Sequence, residues 1–139
     1  MSFNFKQIKR RTTPYFIAEA GVNHEGSLIK AKKLIDQAKK GGADAIKFQT
    51  YKAEKIAAKK SPYYWDISKE KTRSQFELFS KYDKFNFKEY RLLSNYCKKR
   101  KIEFLSTPFD IDAVNFLNPI LNAFKISSSD ITNYPLIHA

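Results

Sequence analysis

The 139-residue sequence has few of the residues that hold small secreted or zinc-containing proteins together. It has one cysteine, Cys97, and no run of about 18 apolar residues. A lone cysteine excludes an intramolecular disulfide framework and a cysteine-based zinc site, and it favours a reducing compartment, so we expect a cytoplasmic protein. Residues 1–13 are polar and basic without an apolar signal core. The sequence therefore argues against both secretion and membrane spanning.

Acidic residues are also scarce: 14 Asp and Glu stand against 26 Lys and Arg, for a formal charge of +12. Such an excess raises the question of an anionic partner. The basic residues are spread along the chain, with tight runs only at 9–11 and 98–101, and no nucleic-acid-binding motif is present. A solvated basic surface is the better interpretation, and a basic nucleic-acid-binding module is kept as an alternative.

Hydrophobic residues make up 42% of the chain and aromatic residues 15%, enough for the core of one domain. After the basic lead at 1–13, an apolar run at 15–21 predicts a strand buried on both faces. Ser27 is placed to cap a helix that Gly41 and Gly42 end, and 45–51 predicts a second strand. This βαβ pattern predicts two parallel strands.

Residues 52–84 interrupt the pattern and read as an insertion with partial helix. Its aromatic residues either pack the insertion onto the rest of the domain or stack on a sugar. Asn86 and Glu89 then form the signature of a capping box at the start of a helix. A third strand at 103–107, a short helix at 110–117, a fourth strand at 123–128 and the start of a helix at 134–139 follow. We therefore predict an α/β parallel sheet or barrel with about four strands. Because the pattern stops after the fourth strand, the sequence suggests a fragment.

Polar residues collect where these apolar strands end, and parallel strands bring their carboxyl ends to one edge. Two lysines and several hydroxyls at that edge would hold a small, multiply charged anion such as a phosphorylated carboxylic acid, and a carboxylate could act as a base. Less specific interpretations stay open: the lysines could extend to water, the serines could form a turn, and His24 could be an ordinary loop residue. The residues at this edge are Glu19, Asn23, His24, Glu25, Lys47, Gln49, Ser106, Thr107, Lys125, Ser127, Ser128, Ser129 and Asp130.

Five segments, occurring in order from Tyr15 onward, carry a family resemblance. Together they resemble the amino-terminal part of the sialic acid synthase (NeuB) family, which includes legionaminic, pseudaminic and spore-coat polysaccharide relatives. Each motif is weak alone, but five in register are specific. The segments are 17–26, 46–50, 104–109, 124–128 and 132–136.

The resemblance implies that residues 14–139 are the first half of a (β/α)8 TIM barrel. It also implies an enzyme that condenses phosphoenolpyruvate with the open-chain aldehyde of an N-acylated hexosamine, releasing phosphate. By the same resemblance Glu19 is the catalytic acid/base, and the phosphoenolpyruvate contacts are Lys47, Thr107, Lys125 and Ser128. Candidate sugar-side residues are Asn23, His24, Gln49 and Asp130.

The family also implies a divalent metal, manganese or magnesium, whose two histidine ligands lie in the later half of the barrel. Neither His24 nor His138 matches them, so we expect no metal ligands in this chain. The remaining barrel strands and a carboxyl-terminal antifreeze-like domain, which implies a homodimeric parent protein, are absent as well. We expect the 139-residue chain alone to be inactive and poorly soluble. Another phosphoenolpyruvate- or phosphosugar-using barrel enzyme remains an alternative.

Overall fold

The computed structural model describes residues 4–139, so residues 1–3 of the predicted basic lead lie outside the described part. Three strands alternate with helices along this part of the chain. The strands are β1 (Ile17–Gly21), β2 (Ala45–Thr50) and β3 (Glu103–Pro108). The helices are α1 (Phe5–Ile8), α2 (Leu28–Lys40), α3 (Ala53–Ile56), α4 (Gln75–Tyr82), α5 (Phe87–Arg100), α6 (Ile111–Leu117) and α7 (Tyr134–His138), with a 3-10 turn at Ser128–Asp130.

The strands form one parallel sheet in the order β1-β2-β3. Glu19 lies opposite Lys47 in the first pair, and Lys47 lies opposite Leu105 in the second. An irregularity after Glu19 shifts the register, so that Gly21 lies opposite Phe48. The predicted βαβ unit is therefore confirmed, and the carboxyl ends of all three strands lie at one edge.

Local signals in the sequence set the ends of the two long helices. The Ser27 hydroxyl accepts the Lys30 N–H at the start of α2, and the Gly41 N–H bonds to the carbonyl of Gln37 at its end. Asn86 and Glu89 form the predicted capping box of α5, with the Asn86 N–H donated to Glu89 Oε2 at 2.9 Å. These bonds satisfy backbone groups that a helix terminus would otherwise leave unpaired.

The hydrophobic core lies between the sheet and the pair α2 and α5. Ile46, Phe48 and Phe104 project from the strands into it, and Ile35 and Leu93 meet them from the two helices. Each of these side chains is at most 5% exposed. Burial of this kind is worth roughly 1.5–3 kcal/mol per large apolar side chain, so this face holds the sheet and helices together.

The insertion after β2 is folded back against the body of the domain, and its two ends are joined. Lys52 Nζ bonds to Asp83 Oδ1 at 2.8 Å and to the Phe85 carbonyl at 3.0 Å, while Asp83 Oδ2 accepts the Ala53 N–H at 3.0 Å. Within it, the Trp65 indole N–H is shared by the carbonyls of Glu70 and Thr72. These contacts favour the packing interpretation for Trp65.

Two sequence predictions differ from the structure. The predicted fourth strand at 123–128 is wrong within the described residues: the segment has no ladder to β3, and Phe124 and Ile126 are 41% and 46% exposed. Residues of high β-propensity favour an extended backbone, but an extended segment forms a strand only when it pairs with a neighbouring strand through backbone hydrogen bonds. Strand β1 is not buried on both faces either, because Ile17 is 44% exposed and Glu19 is also exposed, so the first half of the strand is open to solvent.

No helix within residues 4–139 combines the length and the apolarity that crossing a bilayer requires.

Candidate active site

The sheet face opposite the helices carries an ion pair between its first two strands. Glu19 and Lys47 are register partners on β1 and β2, and partners on neighbouring strands project to the same side. Lys47 Nζ contacts Glu19 Oε2 in a salt bridge. The lysine side chain is 13% exposed and the glutamate side chain 51% exposed. A mostly buried ammonium group is thus held by a carboxylate that solvent can reach.

Gln49 and Thr107 lie on the same face, further toward the carboxyl edge. Gln49 follows Lys47 by two residues, and its register partner on β3 is Thr107. Thr107 is 2% exposed, and its hydroxyl has no hydrogen-bond partner in the part of the chain that the structure describes. A buried hydroxyl without a partner costs free energy, which is typical of a group kept for a ligand or a water.

Gly21 leaves room for these side chains at the end of β1. Its φ of +52° is in the left-handed region, which favours glycine. A Cβ at Gly21 would lie 3.3 Å from Glu19 Oε1 and 3.6 Å from Gln49 Nε2. The glutamate and the glutamine therefore approach the same point. We refer to Glu19, Lys47, Gln49 and Thr107 as the polar face.

The structure places His24 away from the polar face, in the apolar core. It is 1% exposed and stacks on Phe85 with ring centroids 4.1 Å apart. The Gly26 N–H donates to its Nδ1 at 3.1 Å, so the neutral ring carries its proton on Nε2. Desolvation lowers the pKa of His24 from 6.5 to about 4. In this structure His24 fixes the turn after β1 and does not reach the polar face.

The other predicted site residues are more dispersed. Asn23 is exposed in the turn after β1, and Lys125 and Ser128 are exposed on the segment after α6. Within residues 4–139 no hydrogen bond or ion pair joins these three residues to the polar face. Asp130 is half-buried and accepts the Asn133 side-chain N–H at 3.2 Å. The structure thus brings four of the nine predicted residues together, namely Glu19, Lys47, Gln49 and Thr107.

Sequence reasoning missed a cavity of about 440 Å³ between the insertion and the loops beyond β3. From the insertion, Lys55, Ile56, Gln75 and Phe79 line it, and Phe109, Ser129, Asp130 and Asn133 line it from the other side. No spacing rule links residues that lie up to 78 positions apart. The available signal was the density of aromatic residues in the insertion.

A comparison with family models assigns the chain to a family. A model described as the NeuB family matches residues 34–139. The chain belongs to the NeuB family.

Curated relatives of this NeuB-family chain agree with the match. The chain is 45% identical over 125 residues to the N,N'-diacetyllegionaminic acid synthase of Campylobacter jejuni, covering 87% of this chain and 37% of that protein. It is 35% identical over 127 residues to the human N-acetylneuraminate-9-phosphate synthase, covering 88% and 34%. The chain therefore spans about a third of the length of the curated relatives it matches.

Solved structures of relatives share the fold. The N-acetylneuraminic acid synthetase of Leptospira borgpetersenii, solved with citrate, superposes with a TM-score of 0.72 at 35% identity, over 88% of this chain and 39% of that one. The spore coat polysaccharide biosynthesis protein SpsE of Bacillus subtilis gives 0.66 at 32% identity, over 99% and 36%. The α/β fold with a parallel sheet is therefore that of sialic acid synthase structures.

NeuB-family enzymes are metal-dependent in general, and the described residues can be tested for such a site. Within residues 4–139, no group of three or more His, Cys, Asp or Glu side chains is arranged to hold an ion. His24 is enclosed by aromatic rings, where a cation would lack oxygen ligands. These residues do not fit a complete metal site.

Proposed function

We propose that this chain is the amino-terminal part of a nonulosonic acid synthase, an enzyme that condenses phosphoenolpyruvate with the aldehyde of an N-acylated hexosamine and releases phosphate. The observation that carries the proposal is the polar face, a lysine and a glutamate paired beside an amide and an unpartnered buried hydroxyl. The names of the relatives, among them a diacetyllegionaminic acid synthase and an N-acetylneuraminate-9-phosphate synthase, support the same reaction class.

In this proposal Lys47 binds the anion. Its ammonium group is mostly buried and already paired with Glu19, so a phosphate or carboxylate that enters adds a second negative partner at low solvent exposure. Charge-assisted hydrogen bonds of this kind are strong, and Thr107 would donate its hydroxyl to the same anion. Lys125 and Ser128 would contribute from the segment after α6, where both are accessible.

Glu19 has the chemistry of a proton carrier. Its carboxylate is half exposed and can reach both the lysine and solvent. The reaction needs two proton transfers: the aldehyde oxygen gains a proton as the carbon–carbon bond forms, and a water molecule loses one as it adds to the former enol carbon and phosphate leaves. The carboxyl group of Glu19 would give the first proton and, as a carboxylate, take the second. Most of the remaining rate enhancement would come from holding the enol carbon within about 3.5 Å of the aldehyde carbon.

The test uses the parent protein, by which we mean the polypeptide that carries this chain and extends to the length of its relatives. We expect phosphate release from phosphoenolpyruvate only when an acyl sugar such as N-acetylmannosamine or a 2,4-diacetamido hexose is also present. The matched control is the corresponding sugar without the acyl group. Phosphate release that is independent of every acyl sugar would contradict the proposal. The same assay on the 139-residue chain alone is expected to show no turnover.

The homodimer and the divalent metal that the family resemblance implies stay predictions for the parent protein. No specific observation in the structure favours the nucleic-acid-binding alternative, and family membership supports the enzyme hypothesis over it.

A further inference from the structure

The insertion forms one side of a cavity at the carboxyl edge of the sheet. Tyr51 donates its hydroxyl to the Phe79 carbonyl at 3.3 Å, and its ring lies edge-on to both Phe79 and Phe109, with centroids 5.9 and 6.1 Å away. Phe109 follows β3 directly, and its N–H bonds to the Thr50 carbonyl at 3.2 Å. The cavity therefore begins two residues beyond Thr107 of the polar face.

The cavity wall is anchored at two places. At its base, Lys52 and Asp83 join the two ends of the insertion. Nearer the cavity, Lys55 of α3 pairs with Asp112 of α6 and lies 3.6 Å from Asp110, the residue that caps α6. These ion pairs hold α3 and α4 against the loops of the sheet, so the cavity between the helices and the loops is preorganised.

The lining suits a neutral ligand with both a polar and an apolar part. Ile56, Phe79 and Phe109 supply apolar surface, and Gln75, Asn133 and Asp130 supply amide and carboxylate groups. The one lysine in the lining, Lys55, is already paired with two carboxylates. A site built for a second anion would leave cationic groups available, and this one does not.

Gln75 brings an amide group to the lining of the cavity. Its Nε2 donates to the Pro62 carbonyl at 2.9 Å, which leaves Oε1 to accept a hydrogen bond. A volume of about 440 Å³ lies within the range of small-ligand pockets, roughly 300–1,000 Å³. An acetamido group presents an N–H donor and a methyl group, which Gln75 Oε1 and the apolar side chains match. It also presents a carbonyl acceptor, for which the Asn133 amide has a second N–H besides the one donated to Asp130.

We propose that the insertion forms the specificity wall of the sugar site, so that the cavity between α3, α4 and Phe109 receives the N-acyl group of the substrate. Phe79 and Ile56 enclose the acyl methyl group, and Gln75 accepts the amide N–H. This inference rests on the proposed synthase function. It assigns a role to residues 52–84 that the polar face leaves open, namely the choice among acyl sugars.

The test compares acyl groups of two lengths in the parent protein. Phe79→Ala removes apolar wall, so we expect kcat/KM for the N-acetyl sugar to fall about tenfold, since one or two methylene-sized contacts are worth roughly 1–3 kcal/mol. The N-butanoyl homologue fills the vacated space and should lose less, which shifts the ratio of the two kcat/KM values at least about fivefold. The KM for phosphoenolpyruvate should stay within about twofold, because the polar face is intact.

Two further variants separate specificity from folding. Phe79→Leu keeps most of the apolar volume and should shift the same ratio in the same direction by less. Phe76→Ala truncates a phenylalanine of the same helix that does not line the cavity, and it should leave the ratio unchanged. Equal losses for both acyl lengths in the Phe79 variants would overturn this inference alone. Absence of acyl-sugar-dependent phosphate release in the unmodified protein would overturn the proposed function as well.

Discussion

The two faces of the three-stranded sheet are made from alternate residues of the same strands, and along residues 46–49 of β2 their chemistry is opposite. On β2, Ile46 and Phe48 project into the helix-facing core and are 1% and 0% exposed. Lys47 and Gln49 lie between and after them on the other face, beside Glu19 and Thr107. Because side chains alternate along a strand, one short segment serves stability on one face and carries the candidate chemistry on the other. Substitutions of adjacent residues should therefore separate the two roles.

The largest effect is expected on the polar face. Glu19→Gln removes the carboxylate that we propose moves protons but keeps the size of the side chain, so turnover of the parent protein should fall about a hundred- to ten-thousandfold. Phosphoenolpyruvate binding, measured by calorimetry, should be nearly unchanged. Glu54→Gln neutralises an exposed carboxylate on α3 and serves as the matched control. A Glu19 variant that keeps most of its rate would show that this carboxylate has a different role.

The second prediction concerns the core face. Phe48→Ala removes a fully buried ring and leaves a cavity among Ile46, Phe104 and their helix partners, so unfolding free energy should fall by about 3–5 kcal/mol. Gln49→Ala, one residue along on the other face, should cost less than about 1 kcal/mol. Urea unfolding of the parent protein measures both. Comparable losses for the two variants would contradict the division of roles between the faces.

The third prediction returns to the lysines. Lys47→Ala removes a charged hydrogen-bond donor from the proposed anion site, so the KM for phosphoenolpyruvate should rise about ten- to a hundredfold. Lys125→Ala should act in the same direction if its segment approaches the ligand as proposed. Lys33→Ala, on the exposed side of α2, should leave this KM unchanged. Identical KM values for the Lys47 and Lys33 variants would remove Lys47 from the substrate site.

Much of the fold can be predicted from local signals in the sequence. The helix caps at Ser27 and Asn86, the glycine end of α2 and the parallel βαβ order are each written within a few residues, and the structure confirms them. The polar face was also accessible, because polar residues inside apolar strands are conspicuous and parallel strands share one edge. The sequence therefore predicts well which residues alternate along a strand and which polar residues lie at its end.

The remaining features depend on contacts between distant segments. The segment at 123–128 has strand-like residues, but without a ladder to β3 it stays irregular. His24 is a candidate sugar-side residue by sequence, yet the ring of Phe85, 61 positions later, stacks on it in the core. The fastening of Lys55 to Asp112 likewise joins elements that no local pattern links. These three features depend on tertiary packing between distant segments. The spacing of residues within a short stretch of sequence does not predict such packing.

The smallest expected effect is a loss of stability of the core face as the pH falls. Burial lowers the pKa of His24 to about 4 from 6.5 in the unfolded chain, so its contribution to stability is complete above pH 6.5 and is lost as the pH falls toward 4. Between pH 7 and pH 5 this loss should reach about 2 kcal/mol. His24→Phe keeps a ring against Phe85 and cannot titrate. It gives up the Gly26 N–H bond but also removes the buried Nε2–H, which has no partner among the described residues, so its stability at pH 7 should differ by no more than about 1 kcal/mol. Urea unfolding at both pH values measures this. At pH 5 the free energy of unfolding of the variant should equal or exceed that of the unmodified protein. If the two proteins differ by the same amount at pH 7 and pH 5, folding does not lower the pKa of His24.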